Sequence, residues 1–440
     1  MFKTLQNAFK VKEIRDRLFF TFLMLIVLRI GSQLPIPGTD STLVSSVLGQ
    51  FGSGAFGFFD AMTGGSFSEY SIFALNISPY ITASIIVQLL TIAIPKLEEM
   101  QREGEEGRKK LAAFTRYGTV ILAVIESIAM SIGFGNLGLY GETYGVWEVV
   151  VSVFTMTAGS AVVMWIGETI NEKGIGNGIS MVLLINIVSR VPEDIAGLYT
   201  KFVSGQYSKG IGYSILGAVV IIAVIVAVVA FIIILNGGER RIPVQYSQKV
   251  VGRKLLGGNS SHIPLKVNTS GVIPVIFASS LLQFPVIIAN LFVSGTPEWT
   301  KYFTSTYWFN FKPIADIRYS IGFVVYVILI VLFAYFYTAI TFNPMEVSNN
   351  MKKQGGFIPG IRPGAPTTEY LQRILHYIVF IGAVGLVIVS AIPFFFSGVF
   401  GASVTFGGTS LIIIVGVVLE TMKKIESMML VRNYKGFLAE

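Results

Sequence analysis

The 440-residue chain has no cysteine and only two histidines, His262 and His376. Without thiols there is no disulfide, no thiolate metal site and no iron–sulfur cluster. Two histidines this far apart in sequence make no zinc-type ligand cluster. Charge is scarce as well: Asp, Glu, Lys and Arg make up 13% of the residues, against about 25% in soluble domains. With 53% hydrophobic residues and a mean hydropathy of +0.69, the chain has too few polar groups to cover a water-facing surface. A soluble multidomain protein, which the length alone would suggest, is excluded. The solvent that fits is a bilayer.

Ten apolar runs approach the about 20 residues that a spanning helix needs. They cover residues 18–34, 71–94, 117–134, 146–167, 175–191, 211–235, 270–293, 319–342, 374–396 and 404–422. The sixth carries no charge, whereas the first, fifth and tenth are short or broken by Gly and polar residues. The first run follows a 17-residue polar leader and has no small-residue cleavage site, so it reads as a span and not as a removable signal.

The basic residues are distributed unevenly. With the N-terminus inside, 26 of the 33 fall on inner segments, 6 on outer segments, and Arg29 lies within the first run. This asymmetry predicts that both termini are cytoplasmic. The outer exceptions are Arg190, Lys201, Lys209, Lys301, Lys312 and Arg318. The net charge of +8 therefore reads as topology and contact with anionic membrane lipid, not as nucleic-acid binding.

Ten spans divide into five plus five, and an odd number per half gives the halves opposite orientations. The expected organisation is a leader (1–17), a first half (18–191), an outer hinge loop (192–210), a second half (211–422) and a tail (423–440). Long inner loops span residues 236–266 and 343–373. The second and seventh runs then correspond, and both carry a proline near their start, Pro79 and Pro274. Matched Pro-interrupted spans in inverted halves point to a central pathway, although proline is common in membrane helices for other reasons.

Several features are decoys. Gly52, Gly54 and Gly57 match G-x-G-x-x-G, but no strand precedes them and no acidic residue follows at the required distance. The Gly174–Gly178 cluster lacks the Lys-Ser/Thr ending of a phosphate loop and reads as a turn. Ionisable residues within or near spans are functional candidates by default. Arg29 admits two readings, lining a polar path or a structural one in which it snorkels or bonds to neighbouring carbonyls, and Glu126 is equally open; Glu168 and His376 lie near span ends. Residues 56–67 (FGFFDAMTGGSF) are apolar, too short to span and free of Lys and Arg. Such a segment re-enters the protein or anchors at the interface. The inner loops, with Arg240, Arg241 and Pro243 in one and two Pro-Gly pairs around Arg362 in the other, read as presented docking tips as well as topology signals.

The stretches 29–38 (RIGSQLPIPG), 71–88 (SIFALNISPYITASIIVQ), 102–108 (REGEEGR), 115–118 (TRYG), 174–180 (GIGNGIS), 240–246 (RRIPVQY), 271–280 (GVIPVIFASS), 357–364 (FIPGIRPG) and 407–410 (GGTS) occur in family order. On them the chain resembles the SecY family, the central subunits of bacterial protein-conducting channels. The resemblance implies an all-α polytopic membrane protein, with ten transmembrane helices in two inverted five-helix halves around a central hourglass pore. It implies a pore ring of Ile77, Ile81, Leu183, Ile187, Ile276 and Ile413, with Leu183 where isoleucine is usual. A plug near residues 51–69 would include Phe56, Met62 and Phe67. A lateral gate between spans two and seven would carry Gln88, Ser127 and Asn268, with Gln88 and Asn268 favouring closure by hydrogen bonding. Arg240, Arg241 and Arg362 would meet the SecA ATPase or the ribosome with its nascent chain. SecE and SecG would be partner subunits and signal peptides would bind at the gate, all in the plasma membrane of a bacterium.

No catalytic residue and no cofactor are expected. Two other classes remain open at this stage. A secondary transporter would need several buried acids or a polar substrate cluster. An intramembrane enzyme would need a Ser-His or paired-Asp motif, and none stands out.

Overall fold

The structure is a computed structural model that describes residues 6, 8–39, 60, 62–136, 140, 145–200, 211–246, 249–251, 254–256, 260–292, 297–304, 307–309, 318–400 and 408–436. Each of the ten apolar runs lies on a helix. These are α1 (Lys12–Ser32), α2 (Ser78–Ala93), α4 (Glu105–Asn136), α5 (Val146–Lys173), α6 (Gly178–Leu198), α7 (Ile211–Gly237), α8 (Ile273–Phe292), α10 (Ile321–Thr341), α12 (Ala365–Phe400) and α13 (Gly408–Gly436). Short helices α3 (Pro95–Arg102), α9 (Thr300–Phe303) and α11 (Pro344–Lys353) lie between them. Among the described residues, α4, α5, α10 and α12 are long and apolar enough to cross a membrane on length and composition alone, and α2 with α3 makes a fifth. The others lie beside them: α1 packs on α5 and α6, α7 on α12 and α13, and α8 on α10.

Large apolar side chains such as Phe19, Phe22, Phe154, Ile222, Ile234 and Leu332 point outward and are exposed. In water this pattern would aggregate; in lipid it is the expected surface. Each half has a core of its own. One gathers Ile36, Phe67, Tyr70, Leu75, Met130, Phe134 and Met156 of the first half, and the other gathers Ile232, Val275, Leu282, Trp308, Tyr326, Ile330 and Leu386 of the second. The halves meet where α4 packs on α8 and where α6 packs on α13.

The start of α2 is fixed by a small polar device. Asn76 adopts a left-handed backbone with φ of +48°, a region that Asn tolerates better than most residues. Its side-chain oxygen accepts from the Ile77 N–H at 2.9 Å, and its amide donates to the Thr63 carbonyl at 3.4 Å. The Ser160 hydroxyl of α5 donates to the Asn76 carbonyl at 3.0 Å. Beneath this turn, Gly159 of α5 has no room for a Cβ, because the Ile72 carbonyl oxygen fills the space. Pro79 then sits in the first turn of α2, where a missing N–H costs nothing. At the other end Pro95 forces Ile94 into extended backbone (φ −114°, ψ 110°), so the chain turns by 108° into α3.

The inner loops depart from the all-helical expectation. β1 (Glu239–Tyr246), β4 (Ser260–Lys266) and β5 (Gly356–Phe357) form an antiparallel sheet in the order β4-β1-β5, and β2 (Lys249–Val251) pairs with β3 (Lys254–Leu256). In β1, Ile242 and Val244 are buried while Arg241, Pro243 and Gln245 face out, the period of a half-buried strand. Ile242, Val244 and Leu265 share one core with Met351, Ile358, Leu371 and Ile378. Two loops more than a hundred residues apart are thus a single platform built on α12.

The Asn76 device predicts a graded loss of stability. Asn76→Gly keeps the left-handed backbone and loses two side-chain hydrogen bonds, each worth about 1 kcal/mol net. Asn76→Val adds backbone strain of order 1–3 kcal/mol. Thermal unfolding in detergent should rank parent above Gly above Val. Equal midpoints for the two variants would remove the backbone from this account.

Candidate functional site

At the interface of the two halves the structure collects one apolar cluster. Ile77, at the start of α2, meets Leu183 and Ile187 of α6, Ile276 of α8 and Ile413 of α13, with Leu28, Phe73, Val163, Val182, Phe277 and Val417 behind them. These five residues are 2% to 8% exposed. Ile81, partly buried, packs against the same cluster, as does Met62. All six side chains expected in the ring are therefore brought together, two helices from each half supplying them. Each aliphatic side chain withdrawn from water contributes roughly 1.5–3 kcal/mol, so the closed contact is stable and has no directional bonds to break.

The segment before α2 folds inward, as re-entry requires. Thr63, Ser66, Phe67 and Tyr70 are buried. The three expected plug residues do not share one place. Met62 lies against the ring cluster, Phe67 stacks edge-on with Phe134 at 5.6 Å in the wall of the first half, and Phe56 is outside the described residues.

Polar contacts seat this segment on α1 and α6. Asp60 pairs with Arg190 at 2.7 Å and accepts from the Ser68 N–H at 2.8 Å. The Arg29 guanidinium donates to the Gly64 carbonyl at 3.0 Å, and the Ser189 hydroxyl reaches the same oxygen at 3.4 Å. Arg29 thus takes the second of its two readings, bonding to a carbonyl. Gly64 has φ of +69°, and a Cβ there would press on the Asn186 backbone at 2.8 Å. Asp60 is buried and Arg190 is partly exposed, so the pair ties the segment to α6 at one fixed point.

Sequence reasoning missed Asp60, Asn76 and Arg190. The available signals were that Asp60 is the single acid within the apolar stretch 56–67 and that Arg190 is an outer-side basic exception. Both meet in one pairing, Arg190 with Asp60.

The expected gate residues are not brought together. Gln88 on α2 is partly buried, Ser127 on α4 and Asn268 ahead of α8 are buried. Asn268 donates to Asn236 at 2.8 Å, and Ser127 bonds to Val124 and to Thr157 of α5. Each contact stays within its own half. Among the described residues no hydrogen bond joins Gln88 to Asn268, and the seam beside them is the packing of α8 on α4.

Arg240, Arg241 and Arg362 are exposed on the sheet platform. Arg241 donates to Glu239 at 2.7 Å, which holds the Glu239 carboxyl below its ordinary range. Arg362 sits on a turn between Gly360 (φ +82°) and Gly364 (φ +109°), and Thr367 fixes it by donating to the Arg362 carbonyl at 2.9 Å. Among the described residues Arg240 and Arg362 make no ion pair, so their charge faces outward unneutralised.

The SecY family model matches residues 71–422. A protein translocase subunit SecY from Halalkalibacterium halodurans is 43% identical over 447 residues, covering 100% of both chains. A solved protein-conducting channel superposes with a TM-score of 0.64 at 19% identity, covering 94% of this chain and 92% of that one. The Sec61 channel of a canine ribosome–channel complex gives 0.63 at 19% identity, with the same coverage of 94% and 92%. A shared fold, a family match over most of the length and 43% identity from end to end carry one conclusion: the chain belongs to the SecY family.

Proposed function

We propose that this chain is the passive pore of a protein translocase, passing unfolded secretory polypeptides through the interface of its two halves and releasing membrane segments sideways into lipid. The observation that carries this reading is the aliphatic cluster of Ile77, Ile81, Leu183, Ile187, Ile276 and Ile413, shared between the halves and backed by Met62. An apolar constriction sheds water, and an ion cannot cross without losing its hydration. It also offers a passing chain no hydrogen-bond partner, so it accepts many sequences. Residues 51–69 act as the plug. A signal peptide, itself an apolar helix, would lodge between α2 and α8, with Gln88, Ser127 and Asn268 as the gate residues.

The chain acts with partners. The platform's Arg240, Arg241 and Arg362 present cationic tips to the SecA ATPase or the ribosome, which supply the drive. SecE braces the halves, SecG is peripheral, and anionic lipid meets the basic inner segments. The basic-residue asymmetry supports a bacterial plasma-membrane orientation with both termini cytoplasmic.

Two outcomes test the reading. Ile413→Asn places a donor and an acceptor in the ring and favours hydration. It should raise idle ion conductance in planar bilayers and admit clients with defective signal sequences, while Ile413→Leu stays near the parent. Near-zero idle currents for both variants would place Ile413 outside the pore.

Arg362→Glu should lower partner-driven translocation by roughly tenfold or more, because a bidentate charged contact becomes repulsive. Arg362→Lys should be intermediate, and channel abundance should not change. Normal export by the Glu variant would reduce the tip to a topology signal.

A further inference from the structure

On α6 the ring does not end in lipid or water; it runs on into a polar strip. Leu183, Asn186, Ile187 and Arg190 are spaced by three and four residues and share one helix face. The strip is occupied by Asp60 and Gly64. Arg190 holds the Asp60 carboxylate at 2.7 Å, Arg29 and Ser189 hold the Gly64 carbonyl at 3.0 and 3.4 Å, and the Gly64 backbone lies against Asn186. The Asn186 side chain is fully buried, and neither its oxygen nor its nitrogen has a hydrogen-bond partner.

A buried amide with both groups unpaired is costly, and it sits where a chain leaving the ring must pass. What the plug offers this strip is not special to the plug. It presents one backbone carbonyl, which every polypeptide carries, and one carboxylate, which any acidic segment carries.

We propose that the Arg29–Asn186–Ser189–Arg190 strip is a binding site for the translocating polypeptide, and that the plug occupies it as a stand-in for that chain. The proposal rests on the channel reading above and adds a site and a preference to it. When a client displaces residues 60–64, its own carbonyls take the donors of Arg29 and Ser189, its backbone pairs with the Asn186 amide, and an Asp or Glu side chain takes Arg190. Exchange of one set of bonds for another lets the plug leave without stranding two partly buried cations. Glu193, exposed and 3.6 Å from the Arg190 Nε, shares the arginine's charge during the exchange. The ring stays indifferent to sequence while the strip prefers acidic segments.

The test uses the complete channel complex with its motor in vesicles and a secretory client stalled by a folded C-terminal domain. The client carries one cysteine flanked by either Asp or Asn. Because the chain has no cysteine, Ser189→Cys reports the strip and Ile187→Cys reports the ring. Ser189→Cys should capture the Asp client more than the Asn client by on the order of fivefold, equivalent to about 1 kcal/mol. Adding Arg190→Gln should abolish that preference, while capture at Ile187→Cys stays the same for both clients and shows that the variant is folded and threaded. Equal capture of Asp and Asn clients at Ser189→Cys, or a preference that survives Arg190→Gln, overturns the proposal. If Ile187→Cys captures neither client, the channel reading itself fails and the strip falls with it.

Discussion

Aliphatic side chains from α2, α6, α8 and α13 meet across the interface of two helical halves, and water exclusion among them is the contact on which the rest of the molecule depends. Such a contact has no preferred direction. It closes when the halves approach, opens when they part, and leaves no broken hydrogen bond behind. A polar constriction would hold either water or a particular partner; a covalent one would not open. The two-core architecture follows from this constraint. Each half carries its own buried cluster, so parting them leaves the packing within each half intact.

Directional interactions are placed around the ring and not in it. Asn76 sets the start of α2 and so the position of Ile77, while its amide reaches Thr63 in the re-entrant segment. Asp60, Gly64 and Thr63 are tied to Arg190, Arg29 and Asn76 respectively. The arrangement is therefore specified by polar contacts in the re-entrant segment and stabilised by apolar contacts in the cluster between the halves. A perturbation of either reaches the other through Asn76. The inner-loop platform is separate: its core is shared by two inner loops and α12, which makes it one body attached to the second half.

Much of this was legible in the sequence because membrane helices announce themselves by long apolar runs, and all ten runs lie on helices. The local stop at Pro95 follows from backbone chemistry, but the start of α2 at Ser78 is set by tertiary contacts of Asn76. The strands of the inner loops were not legible: β1 pairs with β5 across about a hundred residues, and no local pattern encodes a partner that distant. The ring residues came from resemblance to a family, since isolated isoleucines in apolar helices look like any others. Arg190 was counted with the topology charges because its partner, Asp60, sits in a segment whose fold is set by tertiary contacts. Asn268 had a visible polar side chain, but only packing decides that it meets Asn236 and not Gln88.

The central claim is that a client crosses between the two halves through the aliphatic ring. It is tested most directly by an experimental structure of the complete complex holding a stalled client. The account predicts client density passing between Ile77, Leu183, Ile187, Ile276 and Ile413, with Met62 and Gly64 displaced from their seats and the two cores unchanged. Client density running along the lipid face, with those five side chains still packed on one another, would contradict it.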